Sequence, residues 1–597
     1  MAPGLLAGLR AARALIPVLT ALLLLLGHSA AALARGVLRV PGAYPTIQAA
    51  IDAAANGDVV RVAPGTYRES IRWESKDIAL IGAGPAATLI DPARGPRGLP
   101  GGRCMTLIDL PPSARIERLA CRGGRADVGG GVLVRRGGAT FADCVFSNNV
   151  ATAGAGGGLR VEQGSVSLTG CFFRGNAAVG GTSSAWGGGL YATDDSRVTA
   201  TDCTFEGNRA SRGGGMAVDR NSSATVTGCV FTVNQGGLLV SDSSADVTHC
   251  AFDHNTSTGG MDVLSSTATV ADSEFSDNTH LARGGGFIAR LSAVEILRST
   301  FSGNRAPRGG GAAITEGSAQ VTDCAFRDNR AAEDGGALLF VIGDLSLSSS
   351  SFQRNEAGED GGAVAILSDS SAALDRCELE RNRAGGDGGA LHLSTPFTSS
   401  VTRCAFRRNV AHGDGGGALV SAEQGALLSS CAFARNSAGG DGGALAVPRE
   451  RATVVNGTFR GNTADDAGGG IRVGEDALVD VVNSILWQNG WAQLSSSGTL
   501  TVTYSDVQGG YPGAGNIDDY PGFLGLAGGD LRLRPGSPAR DAGIVVPGLT
   551  ATDLDGGPRV VGPAPDMGAY EIDVPPARPA PGRDAAPRAA GGRDPPG

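Results

Sequence analysis

The sequence predicts an all-β fold, a single-stranded right-handed parallel β-helix (solenoid) with a short N-terminal capping helix and a C-terminal cap. Three observations carry that prediction: a repeat of about 26 residues, alternation of apolar and polar residues within each repeat, and an unusual glycine content. The 597 residues include 95 glycines and only 5% aromatics, which suits stacked coils better than several conventional cores. Hydrophobic residues still make up 41%, so the chain is not disordered throughout. A net charge of −9, with Lys76 the only lysine, excludes a basic nucleic-acid footprint.

The chain opens with Arg10 and Arg13, the apolar run LIPVLTALLLLLG, and small residues ending Ala32-Leu33-Ala34. That three-part layout predicts a secretory signal peptide at 1–34, removed after Ala34, and hence a secreted or cell-surface protein. The run is short for a bilayer and no later segment approaches twenty apolar residues, so no transmembrane span is expected in the mature chain.

Residues 35–92 form an N-terminal cap module. Its TIQAAIDAA stretch places apolar residues at helical spacing, enough to cover the open end of a coil stack.

Residues 93–499 carry the repeats. An aromatic or leucine is followed three residues later by asparagine, then by a short variable stretch, Gly-Gly, and an apolar-x-apolar strand, as in FQRNEAGEDGGAVAI. Fourteen such asparagines run from Asn149 to Asn489, and Asn355, Asn382, Asn409 and Asn436 are 27 residues apart. A fixed period of this size means a solenoid, propeller or array. Period-2 stretches such as LHLS are strands with one buried face, and the glycine-rich spaces between are turns, which excludes helical repeats. Blades of the Trp-Asp propeller type need longer units and a signature that is missing. Fourteen coils at strand spacing make a rod of about 67 Å. Stacked asparagines can bond amide to amide up the rod, and the phenylalanines three residues earlier should stack as core. Nine cysteines, Cys144 to Cys431, fall two residues before the aromatic, where Ser273, Ser299 and Ser350 stand in other coils. That slot wants a small buried side chain, and strand spacing favours free thiols over disulfides.

Residues 500–573 form the C-terminal capping module, and the Pro/Ala/Gly/Arg-rich residues 574–597 are expected to be a disordered tail.

Three stretches resemble known families. GDVVRVAPGTYRE resembles the opening turn of pectin-lyase-like β-helix proteins, pectin methylesterases among them. The in-phase F-x-x-N and GGA/GGG half-motifs of residues 144–489 resemble the polymorphic outer membrane protein repeats of bacterial surface proteins. YSDVQGGYPGAGNIDDYPGF, LRLRPGSPARDAG and TDLDGGPRVVGPAPDMGAYE resemble the closing module of secreted bacterial β-helix proteins. These resemblances imply an exported surface protein or adhesin and, through the superfamily, a polysaccharide lyase or hydrolase as the alternative. No segment of the QAVAL, DFIFG, NTD or GHG type of the pectin-active families follows, so the residues lean away from an enzyme.

The main candidate for chemistry is an acidic column before the double glycine: Asp334, Asp360, Asp387, Asp414 and Asp441, with Asp466 at its edge. Neighbouring carboxylates one coil apart repel by about 0.8 kcal/mol even in water, which favours cation uptake, and Ca²⁺ suits several hard oxygens. No cofactor is required; calcium is the one the column suggests. Arg354, Arg381, Arg408 and Arg435 form a parallel column that could instead neutralise the acids. His412, beside Asp414, is the most suggestive histidine for proton transfer. Trp186, in the insertion AAVGGTSSAW, and the pair Trp487 and Trp491 could stack on sugar rings or simply pack. Polysaccharide or a cell-surface ligand is therefore the partner class, and the protein is expected to be a monomer.

Overall fold

The computed structural model describes residues 36–92, 102–180, 185–525 and 530–572. Both the signal peptide (1–34) and the tail (574–597) lie outside the described residues. The chain winds into about 17 turns of a parallel right-handed β-helix. One coil shows the construction: a long strand Leu338–Ser348, a short strand Ser351–Gln353, and a two-residue strand Glu356–Ala357. Each pairs in parallel with its counterpart in the next coil, Leu338 with Val364, Phe352 with Leu379, and Ala357 with Ala384. The long strand bends at Ile342, which adopts a φ of 64°.

The double glycine has two separate causes. Gly335 takes a φ of 65°, a left-handed turn that side chains resist, while a Cβ on Gly336 would collide with the carbonyl oxygen of Gly362 in the next coil.

Three ladders fill the interior. Asn355 is 1% exposed; its Oδ1 accepts from the backbone N–H and Nδ2 of Asn329, and its Nδ2 donates to Phe326 O and Asn382 Oδ1. The same pattern repeats along the column, so each amide is satisfied by its neighbours. The phenylalanine rings stack face to face from Phe146 to Phe352, for example with Phe326 and Phe352 centroids 4.8 Å apart at 4°. Leu379 interrupts the stack, and Phe406, Phe433 and Phe459 resume it. The nine cysteines of the third ladder are free and buried, interleaved with the serines as expected: Cys324 N–H donates to Ser350 Oγ at 3.1 Å. Cys104 and Cys121, outside that slot, form a disulfide, with Cys121 paired to Phe146 in register and so occupying the aromatic position.

At the start of the rod the helix spans Ile47–Ala53 and buries Ile47, Ala50 and Ile51. Thr46 caps it, and Glu69 of the GTYRE segment accepts from the amides of Ile47 and Gln48 at 3.0 Å. This is the only helix among the described residues, and it is too short to cross a membrane. At the other end, parallel stacking continues through Thr499–Thr503 and Asp506–Val507. The closing module then folds back along the side of the rod. Phe523, Leu533, Met567 and Tyr570 pack on Ala432, Ile485 and Trp487, and Asn456 Nδ2 donates to Asp566 O at 2.8 Å. Its motif residues are staples: buried Arg559 pairs with Glu571 at 2.7 Å, and Asp566 accepts from the amides of Asp541 and Ile572. Burial pushes the Asp566 carboxyl up to about 6.

Candidate functional site: the acid corner

The five aspartates do form one column, each at the corner of the coil just before the double glycine. Asp360 Oδ1 accepts from Asp387 N–H, Asp387 Oδ1 from Asp414 N–H, and Asp414 Oδ1 from Asp441 N–H, each at 2.7 Å. Asp334 joins more loosely, at 3.4 Å to Asp360 N–H. One oxygen of each of the first four carboxylates is thus spent on the next coil, and the other is left over. The slot after Asp441 belongs to Ala467, whose carbonyl accepts from Gly442 N–H, so Asp466 lies outside the column.

The arginines proposed as neutralisers go elsewhere. Arg354 pairs with Asp328, and Arg381 and Arg408 both pair with Glu380. The reason is backbone geometry: Arg354, Arg381 and Arg408 sit at φ of 53–57° in the turn before each asparagine, a different corner of the coil. Two other arginines hold the ends of the acid column. Arg308 Nε lies 3.8 Å from Asp334 Oδ2, and Arg472 Nε lies 2.9 Å from Asp441 Oδ2. Asp360, Asp387 and Asp414, in the middle, face no arginine or lysine at ion-pair distance among the described residues. Burial first, and then the neighbouring carboxylates of Asp387, Asp441 and Asp466, raise the Asp414 carboxyl above its usual range.

A histidine does reach the column, but it is not His412, whose Nε2 contacts the Arg383 guanidinium. His392 points its Nδ1 to 3.5 Å from Asp360 Oδ2, and Asp360, Asp387 and His392 bring ligand atoms within 4.8 Å of one another. His392 is 9% exposed and its Nδ1 makes no hydrogen bond among the described residues. Its strand position explains the burial. In register it follows Leu339 and Ala365 and precedes Leu419, Ala446 and Arg472, an outward stripe roofed by the glycine turns. A polar residue between Ala365 and Leu419 was the readable signal. His392, Asp387 and Asp414 open together onto a cavity of about 530 Å³ that Ser394, Thr395 and Glu423 also line.

The other sequence candidates separate. Trp186 is half-buried, edge-on to Tyr191 at 6.2 Å, with the Arg212 guanidinium 5.9 Å above its ring. Trp487 is buried against the closing module, whereas Trp491 is 93% exposed in the turn after Asn489. A second cluster, Asp253, His254 and Asp277, is mostly exposed, and His254 is paired with Asp253 at 2.8 Å. Along another face, a groove of about 570 Å³ crosses five coils, lined by outward Ser244, Asp246, Thr269, Glu295, Gln320 and Asp344 among others.

The family model for the right-handed β-helix region matches residues 125–275, 188–352 and 263–442, together more than half of the chain. The chain belongs to the right-handed β-helix family. No curated protein matches this β-helix protein. Among solved structures it is similar to the tailspike of Pseudomonas phage phi297, at 12% identity and a TM-score of 0.29, covering 64% of this chain and 72% of that one. A mannuronic acid-specific polysaccharide family 6 lyase from human gut microbiota matches at 10% identity and 0.28, covering 63% and 81%. A pectate lyase matches at 15% and 0.20, covering 88% and 90%. At such scores no residue role passes from these proteins to this one.

Proposed function

We propose that this is an exported, non-catalytic β-helix protein, secreted or held at the bacterial cell surface, that presents its outer grooves and acid turns to polysaccharide or another cell-surface ligand. The observation that carries the reading is the five-coil groove. A polar side chain recurs at the same strand position in all five coils, Asp246, Thr269, Glu295, Gln320 and Ser346, at a spacing that polar groups along a chain of sugars can follow. Asp246, Glu295 and Asp344 make the groove acidic, so it suits a neutral glycan, or an acidic one bridged by a divalent cation such as calcium. Trp491 supports the same reading, because a ring this exposed offers a stacking face for a sugar. The in-phase repeats support, on this proposal, a likeness to the polymorphic outer membrane protein-type surface proteins, and a signal peptide at 1–34 would account for export.

Binding of the purified chain to immobilised neutral and acidic polysaccharides, with and without calcium, tests it. Retention on at least one glycan without new reducing ends or unsaturated products supports a binding role. Products that accumulate with time overturn it. A second reading, a polysaccharide lyase or hydrolase, is favoured by one observation: Asp360, Asp387 and His392 converge beside a cavity able to hold substrate.

A further inference from the structure

We infer that Asp360, Asp387 and His392 form a binding site for a single divalent transition-metal ion of the zinc or manganese class. Asp360 and Asp387 each give Oδ1 to the amide of the next coil, which fixes the carboxylates and leaves an oxygen over. Neither has an arginine or lysine at ion-pair distance among the described residues, although both ends of the same column do. His392 is nine-tenths buried, and its Nδ1 makes no hydrogen bond there.

The spacing fits ligands better than it fits a hydrogen bond. Nδ1 and Asp360 Oδ2 are 3.5 Å apart, beyond a good N–H···O contact. Two ligand atoms on a tetrahedral zinc, with bonds of about 2.1 Å, stand about 3.4 Å from each other. The donor set then selects among ions. An imidazole nitrogen with two carboxylates is borderline rather than hard, which favours zinc, manganese, iron or nickel over calcium, whose sites are built from oxygens. The column expected from sequence to bind calcium is thereby narrowed to its central pair and redirected by a histidine.

Three protein ligands leave one coordination position, and two of the three, Asp387 and His392, line the cavity. Such a site is open to water or to a hydroxyl of a ligand in the cavity. The inference does not rest on glycan binding: the metal site stands or falls on the chain alone.

The full-length mature protein, stripped with chelator, is titrated calorimetrically with Zn²⁺, Mn²⁺ and Ca²⁺, and its Co²⁺ form is examined by visible absorption. The expected result is one tight transition-metal site per chain, weaker binding of calcium, and d–d bands of a low-coordinate N/O site. His392→Leu, which repeats Leu419 of the next coil, should fold and weaken zinc binding by more than about 100-fold, beyond the loss expected from a supporting residue. Asp387→Asn should weaken it as well, while His412→Ala should not. Preference for calcium, absence of stoichiometric zinc binding, or zinc binding unchanged in folded His392→Leu overturns the proposal and leaves His392 and Asp360 as a metal-free pair.

Discussion

Two ladders climb the same coils, built from side chains that differ by one atom. In the asparagine ladder Oδ1 accepts from the preceding rung and Nδ2 donates to the following one and to a phenylalanine carbonyl, so the side chain is neutral, satisfied and buried. In the aspartate ladder Oδ1 also accepts a backbone N–H, here from the following rung, but in place of the amide donor the carboxylate has a second acceptor and a charge. Stacking can satisfy an amide completely and a carboxylate only by half. The asparagine column is therefore closed chemistry, and the aspartate column must find cations, from arginine at its ends or from solution in its middle.

The largest expected effect lies in the closed ladder. Asn355→Ala removes the acceptor of Asn329 and the donor to Phe326 O, and should cost about 3 kcal/mol, read as a lowered urea midpoint. A loss under about 1 kcal/mol would mean that water replaces the rung. A smaller effect is expected where the acid ladder is already neutralised. Arg472→Leu frees Asp441 and should lower stability by about 1 kcal/mol or less, while adding affinity for cations at that end of the column. The smallest is a pH effect. Asp414 has a folded-state pKa raised by burial, so the native chain holds its proton more tightly than the unfolded chain does. Stability contributed at this position is therefore greater on the acid side and falls as pH rises from the ordinary carboxylate range through the raised one. Thermal midpoints of wild type and Asp414→Asn should converge at low pH and separate toward neutrality, with the variant higher. Parallel curves would remove Asp414 as the source.

Much of the fold was legible because each ladder repeats a residue type in phase: Asn149 to Asn489, the phenylalanines, and the Cys/Ser slot all mark one face of one coil. The acid column was legible for the same reason. What escaped were its partners, since the φ of Arg354 and Arg381 turns them to another corner and Arg472 comes from a strand position that carries Leu419 and Ala446 in the two preceding coils. His392 hid in LHLS, which reads as simple alternation until its column is aligned with Ala365 and Leu419. His412 was suggestive by adjacency in sequence to Asp414, but the turn carries it to Arg383. Cys104 and Cys121 lie outside the cysteine period, so nothing in the repeat announced their bond. The closing module has no period, and its return along the side of the rod depends on contacts more than a hundred residues apart in sequence, such as Thr458 with Ala569.

A reciprocal exchange within one coil tests the central claim most directly, because Asn382 and Asp387 stand five residues apart in the two ladders. Urea unfolding of chelator-treated Asn382→Asp and Asp387→Asn should separate them widely. Asn382→Asp replaces a buried donor to Phe352 O and Asn409 Oδ1 by a charged acceptor and should cost at least about 3 kcal/mol. Asp387→Asn keeps its acceptor, sheds a like charge, and should change stability by less than about 1 kcal/mol. Equal losses from the two exchanges would contradict the account, since the acid ladder would then be as closed as the amide one.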